Sequence, residues 1–320
     1  MEYNEFLSYI KDSINAIIGE ERQVNIHKII KNNDVELDGL TIMSKESNIS
    51  PTIYLNDYYK EYKNGRSAGD IVFDIYGLYE QQNNKMDFDL SFFSDFSKIK
   101  DRLMFKLINY NSNTKLLSEI PFIKFLDLAI VFYCFIENDT LGDATVLIHT
   151  NHMNIWNVST EDLYEHAMIN TPRTLPPVIT SMNDILKELF VERLQNEYIN
   201  SEIDNDEDIS FDDMAEDLLN IFNNSNNPSM YVLTNTHKTN GSACILYKNV
   251  LKDFSLQINS DLLILPSSIH EVIIIPYSDD LSPEQLTHMV KEVNLKELDA
   301  IEILSDHVYR YERNTDKIYE

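Results

Sequence analysis

The chain has 320 residues, 43% of them hydrophobic and 11% aromatic, enough to bury the core of one large domain or two of ordinary size. Its 53 Asp and Glu against 26 Lys and Arg leave a formal net charge of −27, a field that repels nucleic acid and anionic membrane and attracts basic surfaces or cations. Seven glycines argue against glycine-rich phosphate loops, and two widely spaced cysteines without CxxC spacing indicate neither a disulfide framework nor a zinc site.

The charge is unevenly placed. Residues 1–160 carry 15 Lys and Arg against 23 Asp and Glu, a balance of −8, whereas residues 161–320 carry 11 against 30, a balance of −19. Cys134 and Cys244 sit in apolar runs (VFYCFI and SACILY) and read as small buried hydrophobes. The longest apolar runs, Leu126–Ile136 and EVIIIPY, fall short of a membrane span. MEYNEFLSYIKDS lacks the basic segment and apolar core of a signal peptide, so a cytoplasmic location is expected, with no membrane, metal or cofactor.

In chain order, Tyr3, Phe6, Leu7, Ile10, Ile14 and Ile17–Ile18 recur at three- and four-residue steps, which predicts an amphipathic helix ending at Gly19. VNIHKII and VELDGLTIM alternate at period two around KNND and predict a β-hairpin. SPTIYLNDYYKEYKNG predicts a short helix closed by Asn64-Gly65, and RSAGDIVFDIYGLYEQQ a second helix. A helical stretch over 95–118 encloses a strand-like MFKLINY, and 122–137 is apolar enough for a buried strand or helix. DATVLIHT reads as a strand; VSTEDLYEHAMIN reads as a helix starting at Ser159 or Thr160 and stopping at Asn170-Thr171-Pro172. SMNDILKELFVERLQNEYI predicts a longer helix.

Nine of the sixteen residues from Glu202 to Asp217 are acidic and an Asn-rich stretch follows, so 200–228 reads as a junction between residues 1–199 and residues 229–320. Beyond it come MYVLTN (strand), HKTNGS (turn), ACILYK (strand), VLKDFSLQI (helix), DLLILPSS (strand), HEVIIIPY (strand), LSPEQLTHMVKEV (helix) and VYRYER (strand). The expected class is α+β: a mixed α/β amino-terminal half, and a carboxy-terminal half built as a mostly antiparallel sheet with helices on one face.

The sharpest polar cluster is Ser267, Ser268, His270 and Glu271, which carries the hydroxyl, imidazole and carboxylate of a hydrolase. Against that, neighbours on an extended segment face opposite ways, and Pro266-Ser267-Ser268 is ordinary turn composition. His149 and His152 have HxxH spacing but no further ligand, and they read as loop histidines bonded to backbone. Asp204, Asp206 and Asp208 begin like a calcium loop, which then fails at Ile209, where glycine is needed, and at Ala215, where a bidentate Glu belongs. Tyr58 and Tyr62 share a helical face and read as rings sealing a core, while Arg173 offers an anion contact. No GxGxxG, P-loop, HExxH or GxSxG occurs.

Several stretches carry a resemblance: ELDGLTI with NISPTIYLNDYYKEYKNG (36–65), DRLMFKLINYNSN (101–113), HMNIWNVSTEDLYEHAMINTP (152–172), MYVLTNTHKTNGSACILYKNVL and LILPSSIHEVIIIPY. Through them the chain resembles the Firmicutes family catalogued as domain of unknown function 5688. The resemblance implies a bacterial cytosolic protein carried on mobile elements and brings no catalytic residue with it.

Together these readings favour an acidic module that binds a basic protein, with an inhibitor or nucleic-acid mimic as one form and no direct contact with nucleic acid. Asp204, Asp206, Glu207, Asp208, Asp212 and Asp213 are its expected contact residues. The alternative is a hydrolase using His270 with Ser267, Ser268 or Glu271, and the sequence leaves open whether the chain is an enzyme.

Overall fold

A computed structural model describes residues 1–19, 21–44, 52–83, 93–136, 144–200, 210–222, 229–266 and 268–320. Helix α1 (Tyr3–Ile18) forms where the spacing predicts it: Phe6, Ile10 and Ile14, four residues apart, are fully buried. Glu5 Oε2 accepts from the Glu2 N–H at 3.0 Å, and Gly19 ends the helix at φ 76°, a value glycine takes without strain. Strands β1 (Arg22–Ile30) and β2 (Glu36–Ser44) pair antiparallel from Arg22↔Ser44 to Ile30↔Glu36, which is the predicted hairpin. Strand β3 (Thr52–Tyr54) adds to β2, giving the order β1-β2-β3.

Helices α2 (Leu55–Lys63) and α3 (Ala68–Asn83) cover this sheet together with α1. Their apolar faces meet in one core of Phe6, Ile10, Ile14, Val24, Leu40, Ile42, Ile53, Leu55, Ile71, Ile75 and Tyr79. Tyr58 and Tyr62 pack against that core partly buried, the sealing role expected of them.

Helix α4 (Phe96–Ile99), strand β4 (Leu103–Asn109), helix α5 (Thr114–Leu117) and strands β5 (Phe122–Phe125), β6 (Leu128–Ile136) and β7 (Ala144–Leu147) follow. These strands form a sheet in the order β4-β6-β5, with β7 also on β6. The apolar run of 122–137 is thus two strands, parted by Leu126 in a left-handed conformation (φ 53°) and Asp127. Every residue of β6 is buried, so no period betrayed strand or helix.

Helices α6 (Thr150–Trp156) and α7 (Thr160–Thr174) come next. Ser159 and Asp162 bond each other's backbone N–H groups, which fixes the start of α7 as expected. Its end differs from expectation, for the helix runs through Pro172 to Thr174. That proline removes one donor in the last turn only, and the Leu175 N–H still closes onto Thr171 O at 2.8 Å.

The remaining elements are β8 (Pro177–Ser181), α8 (Met182–Asn200), α9 (Phe211–Phe222), β9 (Tyr231–Asn235), α10 (Val250–Gln257), β10 (Leu262–Leu265), β11 (Val272–Pro276), α11 (Pro283–Glu297), β12 (Tyr309–Glu312) and β13 (Lys317–Tyr319). Six strands form an antiparallel sheet in the order β13-β12-β10-β11-β9-β8, so the protein is α+β.

Two details depart from the sequence reading. ACILYK is not a strand, since Gly241–Leu246 forms a 3-10 helix in which Gly241 through Ile245 are all buried, rather than alternate residues. The helices also occupy both faces of the sheet. Leu263, Leu265 and Ile275 pack on Leu286 and Val290 of α11, whereas Phe254 of α10 meets Tyr231, whose register partner Ile274 points the other way. Burial of both faces explains the continuous apolar runs LLIL and VIII.

Two compact units result: Met1–Met104 with Asn111–Phe122 and Phe132–Ala167, and Phe105–Tyr110 with Ile123–Val131 and Met168–Glu320. No described helix is long and apolar enough to cross a membrane.

Candidate functional site

The corner between β10 and β11 holds the residues the sequence singled out, and Ser267 lies outside the described residues. Ser268 is buried; its Oγ accepts from the His270 backbone N–H at 3.0 Å, and its own N–H donates to Glu271 O at 3.2 Å. His270 Nδ1 accepts from the Asn240 N–H at 3.2 Å, and its Nε2 stands 3.9 Å from Glu302 Oε1. Thr234 Oγ1 donates to His270 O, and Ser242 Oγ to Ile269 O. The Ser268 hydroxyl and the His270 ring therefore each accept from a backbone N–H, and these bonds do not join them into a nucleophile–base pair. Gly241 is needed here, because a Cβ on it would meet Thr234 Oγ1 and the His270 carbonyl.

The acidic stretch of 202–217 has its described acids in α9, where Asp212 and Asp213 lie; Asp204, Asp206, Glu207 and Asp208 lie outside the described residues. Along α8, Asp184, Glu188 and Glu192 stand four residues apart and therefore on one face, all exposed. With Asp212 from the first turn of α9 they line a cleft of about 510 Å³. Lys187 is the cation in that lining, 3.4 Å from Glu216 and 3.9 Å from Asp212. Asp213 is exposed on α9, and Ala215 and Leu219 are the buried face of that helix.

A third constellation escaped the sequence reading. Asp127, 8% exposed, accepts from Ser305 Oγ (2.6 Å), Tyr309 OH (2.6 Å) and His307 Nδ1 (3.1 Å). Ser305 Oγ also accepts from the His307 N–H, and buried Asn294 donates to Ser305 O and Asp306 Oδ1, fixing the corner that presents His307. Burial, the Asp127 charge and the bond to it hold the Tyr309 phenol far above its ordinary pKa, so it stays a neutral donor. A separation of 180 residues between Asp127 and His307 leaves no local signal in the sequence.

A family model described as Family of unknown function (DUF5688) matches residues 3–313. The chain belongs to that family. No curated protein and no solved structure matches it.

The remaining sequence candidates of this DUF5688 chain lie elsewhere in the fold. His149 and His152 stand at the start of α6 rather than in a loop, with His152 Nδ1 accepting from the His149 N–H at 3.0 Å. Burial, with His149 alongside, holds the His152 pKa below its ordinary value, and the ring stacks on Trp156. Arg173 donates to Asn170 Oδ1 in the last turns of α7. Cys134 and Cys244 are free and fully buried, with burial pushing their thiols up to about 11 and about 12. Among the described residues no group of three or more His, Cys, Asp and Glu is placed to hold a metal ion.

Proposed function

We propose that this DUF5688 chain is an acidic interaction module of the cytoplasm that binds a basic protein through the α8–α9 face, as an inhibitor or nucleic-acid mimic does. The observation that carries the reading is the row Asp184, Glu188 and Glu192, facing Asp212 across the cleft. Like charges at four-residue spacing each destabilise a helix by about 0.2–0.5 kcal/mol. Asp184 has a folding role, since it exchanges hydrogen bonds with Ser181 at the start of α8, and Asp212 stands near Lys187, whereas Glu188 and Glu192 add like charge that a partner bringing Lys or Arg would neutralise. The −27 net charge adds long-range attraction, which raises the encounter rate with a basic surface.

Capture from a host lysate at low salt, run in parallel with wild type and a Glu188→Lys/Glu192→Lys variant, tests this. The reading expects a basic protein retained by wild type, released by salt and absent from the variant. Equal retention by the variant, or a complex indifferent to 1 M salt where screening acts over about 3 Å, contradicts it.

A further inference from the structure

His307 lies between two carboxylates. Its Nδ1 is 3.1 Å from Asp127 Oδ2 and 3.2 Å from Glu320 Oε1, while the side chain is 44% exposed and that of Asp127 only 7%. The Asp127 carboxylate, which can only accept, holds the proton of the neutral ring on Nδ1, and Glu320 stands close by, which leaves the lone pair on Nε2. The Nδ1 edge faces the carboxylates, and Nε2 lies on the other side of the ring.

Asp127 is itself fixed. Tyr309 OH fills Oδ1, Ser305 Oγ and the His307 ring share Oδ2, and the Asp127 carbonyl accepts from the Tyr110 N–H at 2.9 Å. A purely structural role for this corner is already met by Ser305 and Tyr309. It does not require a half-exposed imidazole oriented by the same buried carboxylate.

We propose that Asp127 and His307 form a proton-transfer dyad, with His307 Nε2 as a general base toward water that attacks a neutral or cationic ester. Asp127 acts as the positioning residue that fixes tautomer and ring orientation. In the step, Nε2 takes one proton from water as the water oxygen bonds to the carbonyl carbon and the C=O π pair moves onto the carbonyl oxygen. The pair then returns, the bond to the alkoxide breaks, and the imidazolium gives its proton to that leaving oxygen. Ester and water become acid and alcohol with no other reactant. Asp127 and Glu320 beside the ring, with Asp306 in the same corner, disfavour phosphate esters and other anions by like-charge repulsion. This centre is separate from the α8–α9 face and does not depend on the function proposed for it.

The probe is p-nitrophenyl acetate, a neutral activated ester, hydrolysed by wild type, His307→Gln, Asp127→Asn and, as a control histidine, His288→Ala on the exposed side of α11. General-base assistance at His307 predicts a fall of about tenfold or more in His307→Gln with His288→Ala unchanged. Asp127→Asn should retain fold and lose rate with a displaced pH profile, because the carboxylate that sets the tautomer is gone while a side chain of the same shape remains. A variant-free measurement accompanies it: ethoxyformylation of the native protein by diethylpyrocarbonate, read by mass spectrometry, should modify His307 well ahead of the half-buried His152. Wild-type ester hydrolysis by folded His307→Gln, or a His307 no more reactive than His152, overturns the proposal.

Discussion

Replacing Asp127 with alanine tests the physical account of the second unit most sharply. Asp127 is the acceptor for Tyr309, which is fully buried, and for Ser305, which is 1% exposed. A buried donor left without its acceptor costs about 1–3 kcal/mol. Two such donors, offset in part by relief of the desolvated carboxylate, give about 3 kcal/mol lost in Asp127→Ala. Tyr309→Phe removes one charge-assisted bond and should cost about 2 kcal/mol. Because both substitutions break the same bond, the double variant should fall short of their sum by about 2 kcal/mol. Urea unfolding at pH 7 reads this as shifts of midpoint at constant slope. A loss below about 1 kcal/mol in Asp127→Ala, or strict additivity in the double variant, would refute the view that this carboxylate organises the corner.

Other outcomes follow from the same geometry. Gly241→Ala should cost about 3 kcal/mol in the same unfolding assay, because its Cβ runs into Thr234 Oγ1 and the His270 carbonyl. Glu188→Lys should leave stability unchanged or raise it by about 0.5–1 kcal/mol, since it turns two repulsive four-residue pairs on α8 into attractive ones. Above pH 9 stability should fall: unfolded thiols ionise near 9.0, whereas folded Cys134 and Cys244 hold their protons to about 11 and about 12, so their contribution is present below pH 9 and lost as pH climbs through those values. In agreement, neither thiol should react with a disulfide reagent at pH 8 until the chain is unfolded.

The sequence was legible where burial alternates. Helix α1, the β1–β2 hairpin and α11, with its Ser282 cap and Pro283, follow from one-sided apolar patterns. It was opaque where burial is complete. β6 has no exposed residue to mark its period, and Gly241–Leu246, buried from Gly241 through Ile245, imitates a strand while coiling as a 3-10 helix. The acidic run of 202–217 was legible as composition, whereas the row Asp184, Glu188 and Glu192 on α8 was not, because it stands out only when α9 brings Asp212 to the same cleft. The serine and histidine of the β10–β11 corner looked chemical because they are adjacent in sequence, and the structure ties them to backbone groups. Asp127 and His307 looked like nothing because a polar residue in a turn and a histidine before a strand are both commonplace.

The claim of an acidic binding face is tested most directly by titrating a lysine- and arginine-rich helical peptide into three proteins of defined charge. These are wild type, Glu188→Lys/Glu192→Lys in the cleft, and Glu284→Lys/Glu297→Lys on α11, the last two with the same net charge. A localised face predicts binding that weakens steeply between 50 and about 300 mM salt, falls about tenfold or more in the cleft variant and stays near wild type in the α11 variant. Equal weakening of the two variants, or affinity that ignores salt, would contradict it.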